Sequence, residues 1–137
     1  MPVVLDASFV LALVLDKTDD RDVLAVGERI SRDGALVPSH WYVEVANSVV
    51  MAERRKRITA YDVALTFDDL RAFSVIVDGD GLTRLWRETV ALARTHRLTM
   101  YDAAYLELAI RRSLPLASLD KELVTASRIA GVEVLVG

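Results

Sequence analysis

The stretch "VVLDASFV", residues 3–10, decides how the rest of the chain is read. Three apolar residues run into Asp6, a small Ala7–Ser8 pair follows, and the apolar character resumes from Phe9 to Leu15. An apolar run this short is what a strand covered on both faces looks like. It ends on a carboxylate. A buried, unpaired carboxylate costs several kcal/mol even after relaxation, so Asp6 requires a partner, a capping role or a bound cation.

Outward from this run, short stretches rich in Val, Ile and Leu alternate with longer helical ones, the signature of an α/β domain on a mostly parallel sheet. The strands are predicted near Val3–Leu5, Ala35–Val37, Ser74–Val77, Leu116–Ser118 and Val132–Val136, about five in all. Helices are predicted near Ser8–Leu15, Arg21–Arg32, Trp41–Arg57, Ala60–Phe73, Leu82–Arg97, Tyr101–Arg112 and Lys121–Ala130, with breaks at Gly34, Gly79, Gly81, Pro115 and Gly131. No linker, low-complexity tract or repeat interrupts them. The 137 residues therefore read as one domain, residues 1–137.

Composition narrows the chemistry. A hydrophobic fraction of 53% and a mean hydropathy of +0.28 exclude a disordered chain. Phe9–Leu15 is far shorter than the roughly 18 residues of a membrane span, and no Lys or Arg precedes it as in a signal peptide, so no membrane role and a cytoplasmic location are expected. The absence of cysteine fits a reducing compartment and removes thiolate zinc sites and cysteine nucleophiles. Metal ligation must use oxygen or the two histidines. A net charge of −3 argues against nonspecific coating of nucleic acid, although "ERRKR" at residues 53–57, Arg111–Arg112 and the series Arg84, Arg87, Arg94, Arg97 are local basic clusters. The first two clusters also suit helix C-termini.

Four acids occupy notable places. In an open parallel sheet, ligands gather beyond the carboxyl ends of the strands. Asp6 closes the first strand and Asp120 follows the fourth, in "LASLDKEL". Glu44 flanks a helical stripe through Trp41, Val45, Val49 and Ala52. Asp102 shares a row with Leu106, Ala109 and Ile110. Each acid has an ordinary reading: Asp6 or Ser8 as a helix cap, Asp120 as another, Thr99 with Asp102 as a capping-box-like pair, Glu44 in an ion pair. His40 and His96, at helix ends, are read as structural or surface residues, and Trp41 and Trp86 as core or interface residues.

Taken in order, "VVLDAS" with Asp6, "YVEVANSV" with Glu44, "TMYDAAYLELA" with Asp102 and "LASLD" with Asp120 resemble the PIN-domain ribonucleases, in the form found in VapC-type toxins of bacterial toxin–antitoxin pairs. Ser8 and Asn47 match polar positions of that family, and Ser118 stands where the family often has Thr. The resemblance spans almost the whole chain. It implies a single PIN-like α/β domain and an Mg²⁺- or Mn²⁺-dependent endoribonuclease with one or two ions. In that scheme Asp6 and Asp102 ligate the metal, Glu44 and Asp120 hold metal-bound water or a second ion, and Ser8, Asn47 and Ser118 orient them. All-oxygen ligation favours those hard cations. It further implies an RNA substrate, a cognate antitoxin and a homodimer.

Three rival readings fit the sequence less well. A receiver-type phospho-acceptor domain would use Asp78 after "SVIV", yet it needs more acids after the first strand and a Lys ending the last, which "VEVLVG" lacks. A haloacid-dehalogenase-like phosphatase would need a second Asp where Ser8 stands. A catalytically silent PIN-like binding module would not require all four acids.

Overall fold

The four strands predicted up to Leu116–Ser118 are present as short strands in the computed structural model, which describes residues 1–136. These are β1 (Val3–Leu5), β2 (Ala35–Val37), β3 (Val75–Val77) and β4 (Leu116–Ala117). They form one sheet in the order β3-β2-β1-β4, each neighbouring pair parallel. Parallel order puts the carboxyl ends of all four strands on one edge. Residues that follow the strands, Asp6, Pro38, Asp78 and Ser118, therefore share that edge.

The helices are α1 (Ala7–Val14), α2 (Arg21–Asp33), α3 (Trp41–Arg54), α4 (Ala60–Arg71), α5 (Val90–His96), α6 (Met100–Arg112) and α7 (Lys121–Ile129). Local signals fix their ends. The Asp20 carboxylate accepts from the Asp22 and Val23 backbone N–H groups at the start of α2, and Thr59 and Asp62 form a reciprocal capping box on α4. Helix α1 packs on α2, α3 and α4, while α6 packs on β1, β4, α5 and α7. The core between them includes Val3, Val4 and Leu5 of β1, Phe9 of α1, Trp41 and Val45 of α3, and Tyr105 and Leu108 of α6. The predicted stripe of α3 is the buried one: Trp41, Val45, Val49 and Ala52.

Three expectations need correction. The predicted fifth strand, Val132–Val136, is reduced to a single bridge between Leu116 and Val134, so among the described residues the sheet has four strands. The segment leaves a glycine turn (Gly131, φ +83°) and meets β4 only around Leu116, which donates to the Glu133 carbonyl and accepts from the Leu135 N–H. The helix predicted over Leu82–Arg97 is three pieces: a 3₁₀ turn at Gly81–Arg84, a π turn at Leu85–Thr89, and α5. Trp86, on this irregular segment, is 94% exposed and lies outside the core. Ile110, placed with Asp102 on an inward row, is 42% exposed, although Leu106 and Ala109 of that row are buried.

A clamp ties the irregular segment to α6. Arg111 donates to both oxygens of Asp78 (3.2 and 2.6 Å) and to both oxygens of Glu107 (2.8 and 3.0 Å), and the two acids are buried. Gly81 lies against this clamp. A Cβ there would come within 2.9 Å of Asp78 Oδ2, an oxygen held by Arg111 and unable to yield. The clamp also occupies the carboxylate that a phospho-acceptor reading would need free. Among the described residues, no helix is long and apolar enough to cross a membrane.

Candidate acidic site on the carboxyl edge of the sheet

Asp6 sits at the N-cap position of α1, but its side chain makes no capping hydrogen bond. Its Oδ2 instead accepts from the hydroxyls of Ser8 (2.5 Å) and Ser118 (2.7 Å). Those hydroxyls are themselves fixed, since Ser8 Oγ accepts from the Leu119 N–H (3.1 Å) and Ser118 Oγ from the Asp120 N–H (3.1 Å). Ser8 and Ser118 thus join the ends of β1 and β4 around one buried carboxylate. Burial pushes the Asp6 pKa up, the two hydroxyls oppose the shift, and the Asp120 charge adds to it.

Glu44, in the first turn of α3, is half-buried beside the apolar stripe. Its Oε1 accepts a short hydrogen bond from the Tyr105 phenol, which reaches across from α6. Burial raises the Glu44 pKa, the Tyr105 bond opposes it, and the charges of Asp6 and Asp120 raise it further. Asp102 begins α6, where the Thr99 hydroxyl caps its backbone N–H (3.2 Å). Its carboxyl is pushed up to about 6, first by burial and then by the charges of Asp120, Asp6, Glu44 and Glu122. Asp120 does act as a cap, its Oδ1 accepting from the Leu123 N–H (3.0 Å) at the start of α7. Asn47 is exposed one turn after Glu44.

Four acids from four parts of the chain therefore feel one another's charge across the edge. Among the described residues, Arg29, Arg32, Arg57, Arg71 and Arg111 pair elsewhere, with Asp33, Asp16, Asp68, Asp78 and Glu107. Repulsion of this kind is relieved by protonation or by a cation. Among the described residues, no three His, Asp or Glu side chains are grouped closely enough to hold an ion by themselves. Mg²⁺ commonly takes one or two carboxylates and fills its other positions with water and phosphate oxygens, so this all-oxygen donor set fits a hard divalent ion without a closed cage.

Two residues of the site were not assigned to it from the sequence. Tyr105 lies three residues after Asp102, a spacing that puts both on one face of α6, and that was the available signal. His40, expected to be a structural or surface residue, stands four residues before Glu44 and brings Nε2 to 3.9 Å from Glu44 Oε1. Burial lowers the His40 pKa, which weighs against an ion pair at this contact. Its ring meets Tyr105 and Tyr101 edge-on, with centroids 5.1 and 5.4 Å apart. His96 closes α5 in its last turn, and Trp41 is buried, as expected.

Comparison with known proteins agrees with this architecture. The PIN domain family model matches residues 3–129. Ribonuclease VapC3 of Mycobacterium tuberculosis, from strains CDC 1551 / Oshkosh and ATCC 25618 / H37Rv alike, is 35% identical over 124 residues, covering 90% of this chain and 86% of the relative. Among solved structures, PAE2754 from Pyrobaculum aerophilum superposes with a TM-score of 0.72 at 22% identity, covering 98% of this chain and 84% of that one. FitAcB from Neisseria gonorrhoeae gives 0.66 at 16% identity, covering 96% and 95%. At such identities these two likenesses speak for the fold.

Proposed function

The chain belongs to the PIN-domain family, and on that premise we propose that it is a divalent-cation-dependent endoribonuclease, the toxin of a VapBC-type toxin–antitoxin pair. The observation that carries the catalytic part is the mutual repulsion of Asp6, Glu44, Asp102 and Asp120 on the sheet edge where ligands of such folds collect.

Asp6 and Asp102 would hold Mg²⁺ or Mn²⁺, with one or two ions bound. When bound, the ion lowers the pKa of water and offsets charge on the phosphate oxygens. The chain's own groups do the positioning. The Ser8 and Ser118 hydroxyls keep Asp6 Oδ2 fixed, and Tyr105 holds Glu44 Oε1, leaving Oε2 to accept from a water. Asp120, anchored through Oδ1 to α7, supports water on the opposite side, and Asn47 lies at the rim. In the reaction, a water oxygen attaches to phosphorus, the bond from phosphorus to one ribose oxygen breaks, and that oxygen leaves with a proton. Net, one phosphodiester and one water give a phosphate monoester and an alcohol.

RNA as substrate and an antitoxin as partner are supported by the likeness to Ribonuclease VapC3. A homodimer and a cytoplasmic location complete the proposal. The deciding experiment incubates the full chain with RNA in Mn²⁺ or Mg²⁺. Cleavage should stop in chelator, return on adding either ion, and be lost in Asp6→Asn and Asp102→Asn while the melting temperature holds or rises. Cleavage that persists in chelator would overturn the reading.

A further inference from the structure

Beside the acids, on the same edge of the sheet, lies a cavity of about 260 Å³ that the proposed chemistry leaves unused. It opens beyond the carboxyl ends of β2 and β3, where Pro38 and Asp78 line it, as the acids lie beyond β1 and β4. Two links join it to the acidic site: His40, which lines it, approaches Glu44, and Tyr101, which lines it, precedes Asp102. Its lining includes the flat or polarisable side chains of Met100 and Tyr101 from α6 and of Leu82 and Trp86 from the irregular segment before α5. Trp86 is 94% exposed and Tyr101 63%, a costly display of aromatic surface for a chain with so large a core.

Its interior is not purely apolar. Thr89 is 1% exposed, lines the cavity, and has a buried hydroxyl with no hydrogen-bond partner among the described residues. His40 Nε2, also buried, has none either. Unpaired buried polar atoms are costly unless something fills the space and satisfies them. Asp78 and Glu107 add anionic acceptors, and Arg111 neutralises only part of their charge. A phosphate would be repelled here. A flat heteroaromatic ring with exocyclic N–H donors would stack on the aromatic walls and meet donors and acceptors at its edge.

We propose that this cavity receives an unstacked nucleobase of single-stranded RNA, adjacent to the bond the acids cleave, with Trp86 and Tyr101 as stacking surfaces and Thr89 and His40 as edge readers. It rests on the ribonuclease reading and deepens it by naming single-stranded RNA and a base subsite. Neighbouring strands are about 4.8 Å apart, so the cavity beyond β2 and β3 lies within reach of a nucleotide next to one held at β1.

The test uses the full chain in chelator, so that RNA is bound without being cut, with fluorescently labelled 12-nucleotide single strands: mixed-sequence RNA, homopolymers, and an abasic strand keeping only ribose and phosphate. Base-containing strands should bind at least tenfold tighter than the abasic one. Trp86→Ala and Tyr101→Ala should each weaken them about tenfold without affecting the abasic strand. Thr89→Val, which keeps the shape and removes the hydroxyl, should reduce the preference among homopolymers while leaving the melting temperature in place. Equal affinity of Trp86→Ala and wild type for every strand would overturn the proposal. So would a dimer, detected by sedimentation, that Trp86→Ala converts to monomer with RNA affinity per protomer unchanged, for the face would then belong to a second copy. Cleavage in Mn²⁺ is measured alongside. Loss of this proposal with cleavage intact condemns the subsite alone, whereas wild type that never cleaves RNA condemns the ribonuclease reading.

Discussion

At the scale of single residues, the site is an arrangement of carboxylates whose freedom has been removed by neutral donors. Tyr105 illustrates it. Burial drives its phenol pKa well above the ordinary range, so it remains a donor to Glu44 at any working pH. Tyr105→Phe removes only that donor: Mn²⁺ affinity measured by titration calorimetry should fall roughly tenfold, as for other outer-sphere partners of metal ligands, with stability changed by about 1 kcal/mol or less. Asp102 gives a prediction in pH. Its carboxyl is pushed up to about 6 in the folded chain from an ordinary value of 3.8, so the folded state binds the extra proton between those values. A group raised in the folded state costs stability once ionised, so the chain in chelator should lose melting temperature as pH rises from about 4 to 7. At about 1.4 kcal/mol per unit, discounted for partial exposure, the loss is on the order of 1–2 kcal/mol. Asp102→Asn should flatten most of that slope, and a wild-type profile flat over this range would contradict the assigned repulsion.

At the scale of elements, the sequence was most legible where periodicity acts alone. The stripe of α3 and the strands β1, β2 and β4 are set by side-chain burial, which composition and spacing display; β3, with Ile76 65% exposed, is held at the sheet edge by its backbone pairing with β2. What escaped was set by contacts between distant parts. The break-up of the Leu82–Arg97 segment comes with Asp78 and Gly81 meeting Arg111, a residue some thirty positions later, and no local window contains that contact. The placing of Ser8 and Ser118 was legible only through family likeness, and Tyr105 and His40 only through helical spacing to an acid already suspected. The clamp itself can be weighed. Burial pushes Asp78 up, but the hydrogen bonds and charge of Arg111 outweigh it and hold the carboxyl below its usual range. Arg111→Met leaves two buried acids without their partner and should cost about 3–5 kcal/mol in urea denaturation at pH 7. Because a depressed carboxylate contributes stability above its unfolded pKa and loses it as pH falls through the folded one, the gap between wild type and variant should narrow near pH 3. A gap unchanged with pH would mean that packing of the arginine stem, and not its charge, makes the contribution.

At the scale of the whole molecule, a parallel sheet gathers on one edge groups that lie over a hundred residues apart, and hydrogen bonds then connect them into one series. The Leu123 N–H donates to Asp120, the Asp120 N–H to Ser118, and the Ser118 hydroxyl to Asp6. The amide that opens α7 is therefore three links from the most buried acid of the site. Any neutralisation at Asp6 alters how firmly that series is held. Hydrogen–deuterium exchange at Leu123 should consequently slow when Mn²⁺ is added, whereas exchange at the far end of α2 stays constant, giving a spectroscopic gauge of occupancy that needs neither RNA nor turnover.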